Sequence, residues 1–185
     1  YGHGFTFTLD NQSYLIFMSM LGGLSSVLIL SYVKGHIEQI KERNIQCDPE
    51  TIVENIGRQV RSIIPSFFDF KMACFCWRPE KGVFELTKDG QFHMVEYDIL
   101  NQSVSSSSKS CSYSGILYTQ EIKPAGDKML WLFDVSTKLD AENLEKQISG
   151  LFDGNNHRHN AMGRHLPPIR NPQGIKIPYC LLAPC

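Results

Sequence analysis

YLIFMSMLGGLSSVLILSYV, Tyr14 to Val33, is the stretch on which the fold turns: twenty residues without Asp, Glu, Lys, Arg or His. Wound as a helix at about 1.5 Å per residue it would measure about 30 Å, the thickness of a bilayer's hydrocarbon core. Tyr14 and Tyr32 fall near its two ends, where amphipathic rings favour the headgroup level. A secretory signal would need a basic leader and a shorter apolar run, and neither is present. A helix buried in a protein core is the competing solution. The expectation is a transmembrane helix over 13–34. Within it Ser19 with Gly23, and Gly22 with Ser26, form small-xxx-small pairs that let two helix backbones approach, so Ser19, Gly22, Gly23 and Ser26 are the candidate face of a homodimer.

Charge is distributed unevenly around this stretch. The chain has 185 residues, with 18 Lys and Arg against 19 Asp and Glu. Residues 1–33 hold no Lys or Arg and one acid, Asp10, so the remainder of the chain is neutral overall. An aromatic content of 11% with a net charge of -1 excludes whole-chain disorder. A pI near 6.6 argues against a polybasic nucleic-acid binder. The first residues, YGHGFTFT, alternate like a short strand leaving a tight turn. They are read as residues 1–12, the end of a larger N-terminal domain with its linker.

Beyond the span, KGHIEQIKERNIQ reads as a helical stalk. Asp48-Pro49 then opens an amphipathic helix, with Asp48 as N-cap, Pro49 at N1, and Ile52, Val53, Ile56, Val60, Ile63 and Ile64 forming the stripe before Pro65. Phe67 to Trp77 alternates Phe68, Phe70, Met72, Cys74 and Cys76 against Asp69 and Lys71. Val83–Thr87 and Gln91–Ile99 flank Lys88-Asp89-Gly90 as a hairpin. Ser103 to Ser110 is a solvated loop. Cys111–Ile122 and Lys128–Ser136 make a second hairpin. A further helix spans about Asp140 to Phe152, with Thr137 and Asp140 offering a capping box and Ala141, Leu144, Ile148 and Leu151 inward. The tail is Pro-rich and extended. The fold class expected is α+β: one transmembrane helix followed by a compact α-β(5)-α periplasmic domain over 35–185.

All six cysteines, Cys47, Cys74, Cys76, Cys111, Cys180 and Cys185, follow the span and are disulfide candidates. Six allow fifteen pairings; a local Cys180–Cys185 loop and a link from Cys111 to Cys74 or Cys76 are favoured, reduced core thiols being the alternative. Lys34, Lys41 and Arg43 after the span would by themselves leave the following domain in the cytoplasm. A large cytoplasmic domain ahead of Tyr1 would override them. His157, His159 and His165 lack the spacing of a zinc motif, so no metal site and no cofactor are expected. There is no GxSxG, P-loop or GxGxxG, and no catalytic residue is assigned. A pocket gathering His93, Glu96 or Asp98 with one of the later histidines would revive an enzyme.

Gly2, Gly4, Phe5 and Phe7, followed by a single span and a cysteine-bearing domain, resemble the ToxR/CadC-like membrane-anchored winged-helix transcriptional regulators. In these a wing hairpin of the type Gly-x-Gly-[Tyr/Phe]-x-[Leu/Phe] closes the DNA-binding domain. The resemblance implies the C-terminal part of such a regulator, in the bacterial inner membrane with its C-terminal domain in the periplasm. It implies no enzyme, a homodimer, DNA contact through a domain ahead of Tyr1, a small periplasm-facing membrane partner, and a sensor for an environmental signal. A pilin-like or secretion-apparatus subunit with a disulfide-bonded head is the alternative. Asp10, set among Asn11, Gln12 and Ser13, counts against it.

Overall fold

The supposed membrane rod is a strand, a glycine and a helix. A computed structural model describes residues 2–20, 23–45, 47–64, 70–89, 92–101, 103–106, 116–123, 128–134, 146–148, 170 and 179–182. β1 (Gly2–Leu9) turns through Asp10 and Asn11 into β2 (Gln12–Met20), and α1 (Leu24–Glu42) begins after Gly23. Asp10 and Asn11 have φ of 45° and 63°. That double positive φ is the two-residue hairpin geometry Asp and Asn tolerate. Gly23 has φ 112° and ψ -172°, a conformation essentially restricted to glycine, and it separates strand from helix. Among the described residues no helix is long and apolar enough to cross a membrane. The transmembrane helix expected over 13–34 is therefore overturned, since that stretch divides between β2 and α1.

The physical reason lies in where β2 sits. It is hydrogen-bonded to β1 on one side and to β3 (Phe70–Arg78) on the other, antiparallel to both. Tyr14, Ile16, Met18 and Met20 pack in one core with residues of both helices, while Phe17 and Ser19, on the opposite face, are also buried. A strand covered on both faces loses its polar alternation and reads as a continuous apolar run. α1 supplies the remainder of the run. It turns Ser26, Ile29, Val33, Ile37 and Ile40 inward at helical spacing and leaves Leu24, Val27 and Leu28 exposed.

α2 (Pro49–Ile63) forms as its sequence dictates. The Asp48 carboxylate accepts a 2.6 Å hydrogen bond from the Thr51 amide, Pro49 occupies the first turn, and Ile52, Val53, Ile56 and Val60 are buried. The helix packs on β3 and on β4 (Val83–Asp89). These elements and β7 (Leu117–Ile122) complete a five-stranded antiparallel sheet of order β1-β2-β3-β4-β7. A second sheet has the order β6-β5-β8-β9, from β5 (Phe92–Asp98), β6 (Ser103–Ser106), β8 (Lys128–Asp134) and β9 (Tyr179–Leu182).

Two compact units result: Tyr1–Phe92 with Lys109–Ala125, and His93–Ser108 with Gly126–Cys185. The expected hairpins across Lys88-Asp89-Gly90 and Pro124–Asp127 are not hairpins. β4 and β5 lie in different sheets, as do β7 and β8. Part of the serine-rich run expected as loop is strand β6, paired with β5. The α-β(5)-α scheme thus gives way to a mixed, mostly sheet domain. Of the helix expected over about 140–152, the described residues 146–148 are helical and Ile148 is buried; the rest, like the proline-rich tail before β9 apart from Arg170, lies outside the described residues.

Candidate functional site

Polar chemistry in the first unit gathers on both faces of its sheet. On the helix-covered face, at the end where β2 starts, the Tyr14 hydroxyl lies 2.8 Å from Gln12 Oε1 and 2.9 Å from the Cys47 carbonyl. Cys76 Sγ is 3.8 Å from the same Gln12 oxygen, which also accepts from the Arg78 guanidinium. Arg78 donates through Nε and Nη2 to Glu85 Oε2 at 3.0 and 2.8 Å, so its charge is already matched. Burial raises the Tyr14 phenol and the Cys74 and Cys76 thiols above their ordinary values. Neutral at physiological pH, they are poor nucleophiles and poor metal ligands. The cluster is a satisfied polar seam in the core.

The opposite face carries charge that the sequence pattern assigned to solvent. Lys71, facing Ser19 in the β2–β3 register, is 1% exposed, and Lys88, facing Ala73 in β3, is 0% exposed. Lys88 Nζ donates to the Phe92 carbonyl at 2.6 Å and stands 5.3 Å from the centre of the Tyr118 ring. Asp89, on the helix side, is buried beneath Arg61 of α2, 3.7 Å away. Long amphipathic stems let lysine sit inside a sheet when the ammonium finds polar or aromatic partners.

A cleft of about 170 Å³ opens between α1 and α2. Ile40, Ile45 and Ile52 line it together with His36, Gln39, Arg43, Cys47, Thr51 and Asn55. Burial lowers the His36 pKa and raises that of the Cys47 thiol. The cleft is small and holds no pair of groups poised for proton transfer.

The structure disperses the sites expected from sequence. Ser19 is in β2, Gly23 precedes α1 and Ser26 is buried inside α1, so no shared helix face unites them; Gly22 lies outside the described residues. Gly2, Gly4, Phe5 and Phe7 form β1 and pair with Ser19, Phe17, Ile16 and Tyr14 of the supposed membrane span. Phe7 stacks on Tyr14 with ring centres 4.8 Å apart. The wing therefore belongs to this domain's own sheet. Cys47, Cys74 and Cys76 carry free thiols. Cys111, Cys185 and the Cys180 side chain lie outside the described residues, as do His157, His159 and His165. Glu96 is held by Lys128 at 2.7 Å, and Asp98 accepts from Asn101.

The fold is that of PP2C-type serine/threonine phosphatase domains. The structure of the RsbU and RsbW domains of Rv1364c from Mycobacterium tuberculosis superposes with a TM-score of 0.59 at 11% identity, over 81% of this chain and 44% of that one. The SiaA-PP2C domain of Pseudomonas aeruginosa gives 0.59 at 10% identity, over 81% and 65%. RsbX in complex with magnesium gives 0.50 at 13% identity, over 78% and 72%. The chain thus spans less than two thirds of the first two structures. No family model matches the sequence, and neither does any curated protein. A winged-helix regulator, a DNA-binding role, a periplasmic sensor and a pilin are all overturned by this likeness, and the expectation of no enzyme is corrected with them. The sequence signal for this is Asp10-Asn11, a turn dipeptide between the alternating Gly2–Leu9 and the apolar run that follows, which makes Tyr14–Met20 a strand.

A magnesium complex among the similar structures calls for a test of the donors present. Magnesium takes oxygen ligands at about 2.0–2.1 Å in near-octahedral geometry, one or two of them carboxylates. Among the described residues no three of His, Cys, Asp or Glu come together as a metal site would require. The described residues do not fit the ion.

Proposed function

We propose that this chain is a phosphatase-type domain directed at phosphorylated serine or threonine in a protein partner. The observation that supports it is the likeness in fold to PP2C-type phosphatase domains over 81% of the chain. Removing phosphate from such a side chain is hydrolysis of a phosphomonoester, in which a water oxygen bonds to phosphorus as the serine or threonine oxygen leaves. Such a reaction depends on positioning and on balancing charge around the transferred group. The described residues place a buried lysine pair, an Arg78–Glu85 ion pair and neutral thiols, and none is assigned a step.

The experiment is release of inorganic phosphate from a phosphoserine peptide by the purified chain, compared with its phosphothreonine and phosphotyrosine analogues. Release from the serine and threonine peptides above the tyrosine one is the expected result. Absence of release from all three at high enzyme concentration, over hours, contradicts turnover.

A further inference from the structure

The cleft between α1 and α2 has walls of one-sided chemistry. Ile40 and Ile52, 5% and 1% exposed, give it an apolar floor. His36, Gln39 and Arg43 line it from α1 at helical spacing, and Thr51 and Asn55 line it from α2, one turn apart. Each of these five polar side chains can donate a hydrogen bond, and none of the described residues lining the cleft is Asp or Glu.

Acceptors nearby are engaged or turned away. Glu38 pairs with Lys41 at 3.2 Å, Asp48 accepts from the Thr51 amide at 2.6 Å, Glu54 holds Arg58, and Glu50 accepts from Thr119. Glu42 is exposed and lies about 100° round the helix from Arg43. The carbonyls of Gln39, Ile40 and Lys41 accept from the amides of Arg43, Ile45 and Asn44, with Asn44 at φ 48°, so the end of α1 closes on itself at the rim. The Arg43 guanidinium is left unmatched: among the described residues it makes no ion pair and no side-chain hydrogen bond. A planar cation beside an apolar floor suits a carboxylate, which it can grip with two parallel hydrogen bonds. Size narrows the ligand further. A cavity of about 150 Å³ is enough for benzene, and this cleft measures about 170 Å³.

We propose that the α1–α2 cleft binds a small monocarboxylate with an apolar body, its carboxylate on Arg43 and its body on Ile40 and Ile52. The proposal stands on the cleft alone and not on phosphate release, so either can fail without the other.

Benzoate is the probe, titrated into the full chain and followed by the backbone amide shifts in NMR, with benzamide, acetate and inorganic phosphate alongside. For a ligand of about nine heavy atoms the expected Kd is about 1 mM or below. The other three lack either the charge or the apolar body and are expected to bind at least about tenfold more weakly. Arg43→Gln should weaken benzoate at least about tenfold, whereas Arg58→Gln, on the exposed side of α2, should leave it unchanged. Arg43 is exposed, so the variant keeps the fold, which the same spectra report. Absence of binding at about 10 mM benzoate, equal binding of benzoate and benzamide, phosphate bound more tightly than benzoate, or benzoate affinity that survives Arg43→Gln overturns the proposal.

Discussion

The two halves of Tyr14–Val33 are equally apolar and end in opposite situations. The strand half is sealed on both faces: Ile16 and Met18 are 0% exposed, and Phe17, which points the other way, is 4% exposed. The helix half is sealed on one side only, with Ile29 and Val33 at 0% and Leu24 at 77%. Hydropathy alone merges them into one rod. What separates them is Gly23, whose backbone no other residue adopts without strain, and the Asp10-Asn11 turn that commits the first half to pairing. Apolar content therefore reports burial, whereas chain geometry decides which element is buried.

Substitutions can break this comparison, the largest effect first. Met18→Lys places an ammonium in a fully buried strand position and is expected to cost more than about 4 kcal/mol, enough to unfold much of the domain. Far-UV circular dichroism and urea unfolding would show it, and a folded variant of unchanged midpoint would remove the two-sided burial of β2. Ile29→Ala opens a cavity on the inward face of α1 and should lose about 2–5 kcal/mol by the same unfolding measurement. Gly23→Val forces a β-branched residue to φ 112°, with an expected loss of about 1–3 kcal/mol. Leu28→Lys, on the exposed face of the same helix, should stay within about 0.5 kcal/mol of the parent. A buried or lipid-embedded helix could not tolerate it, so a large loss there would revive the alternative.

pH sharpens the contrast between the buried strand seam and the exposed helix cap. Burial raises the Cys74, Cys76 and Tyr14 pKa values in the folded chain. Their neutral forms support the fold fully below the ordinary thiol and phenol values, about 8.5 and 10. Stability is then lost as pH climbs from those values toward the raised ones. The Asp48 carboxylate moves the other way, held below its usual value first by its hydrogen bond from the Thr51 amide. Its cap stabilises above about pH 3.9 and is lost as acid carries the pH down through the lowered value. Asp48→Ala should cost about 1 kcal/mol and flatten that acid limb in a urea-midpoint series.

What the sequence revealed follows from how local each signal is. α2 was legible because cap, proline and apolar stripe all lie within sixteen residues. β3 and β4 were legible as strands, but their partners were not, since β4 pairs with β7 across 28 to 38 residues and no local turn announces it. Lys71 and Lys88 were misplaced for related reasons: Lys71 is the polar position of an alternating strand, which is assigned to water, and Lys88 was read as the start of a turn. Only the register that brings Ser19, Ala73 and Tyr118 beside them reveals a buried face. Ser19, Gly23 and Ser26 do not share one helix face because that stretch divides between β2 and α1.

Titration of the purified chain with a phosphoserine peptide and its unphosphorylated twin bears most directly on a phosphate-directed domain. Binding of the phosphorylated peptide at least about tenfold tighter, a difference of about 1.4 kcal/mol, is predicted. Equal affinity for the two peptides would contradict a phosphoserine-directed domain.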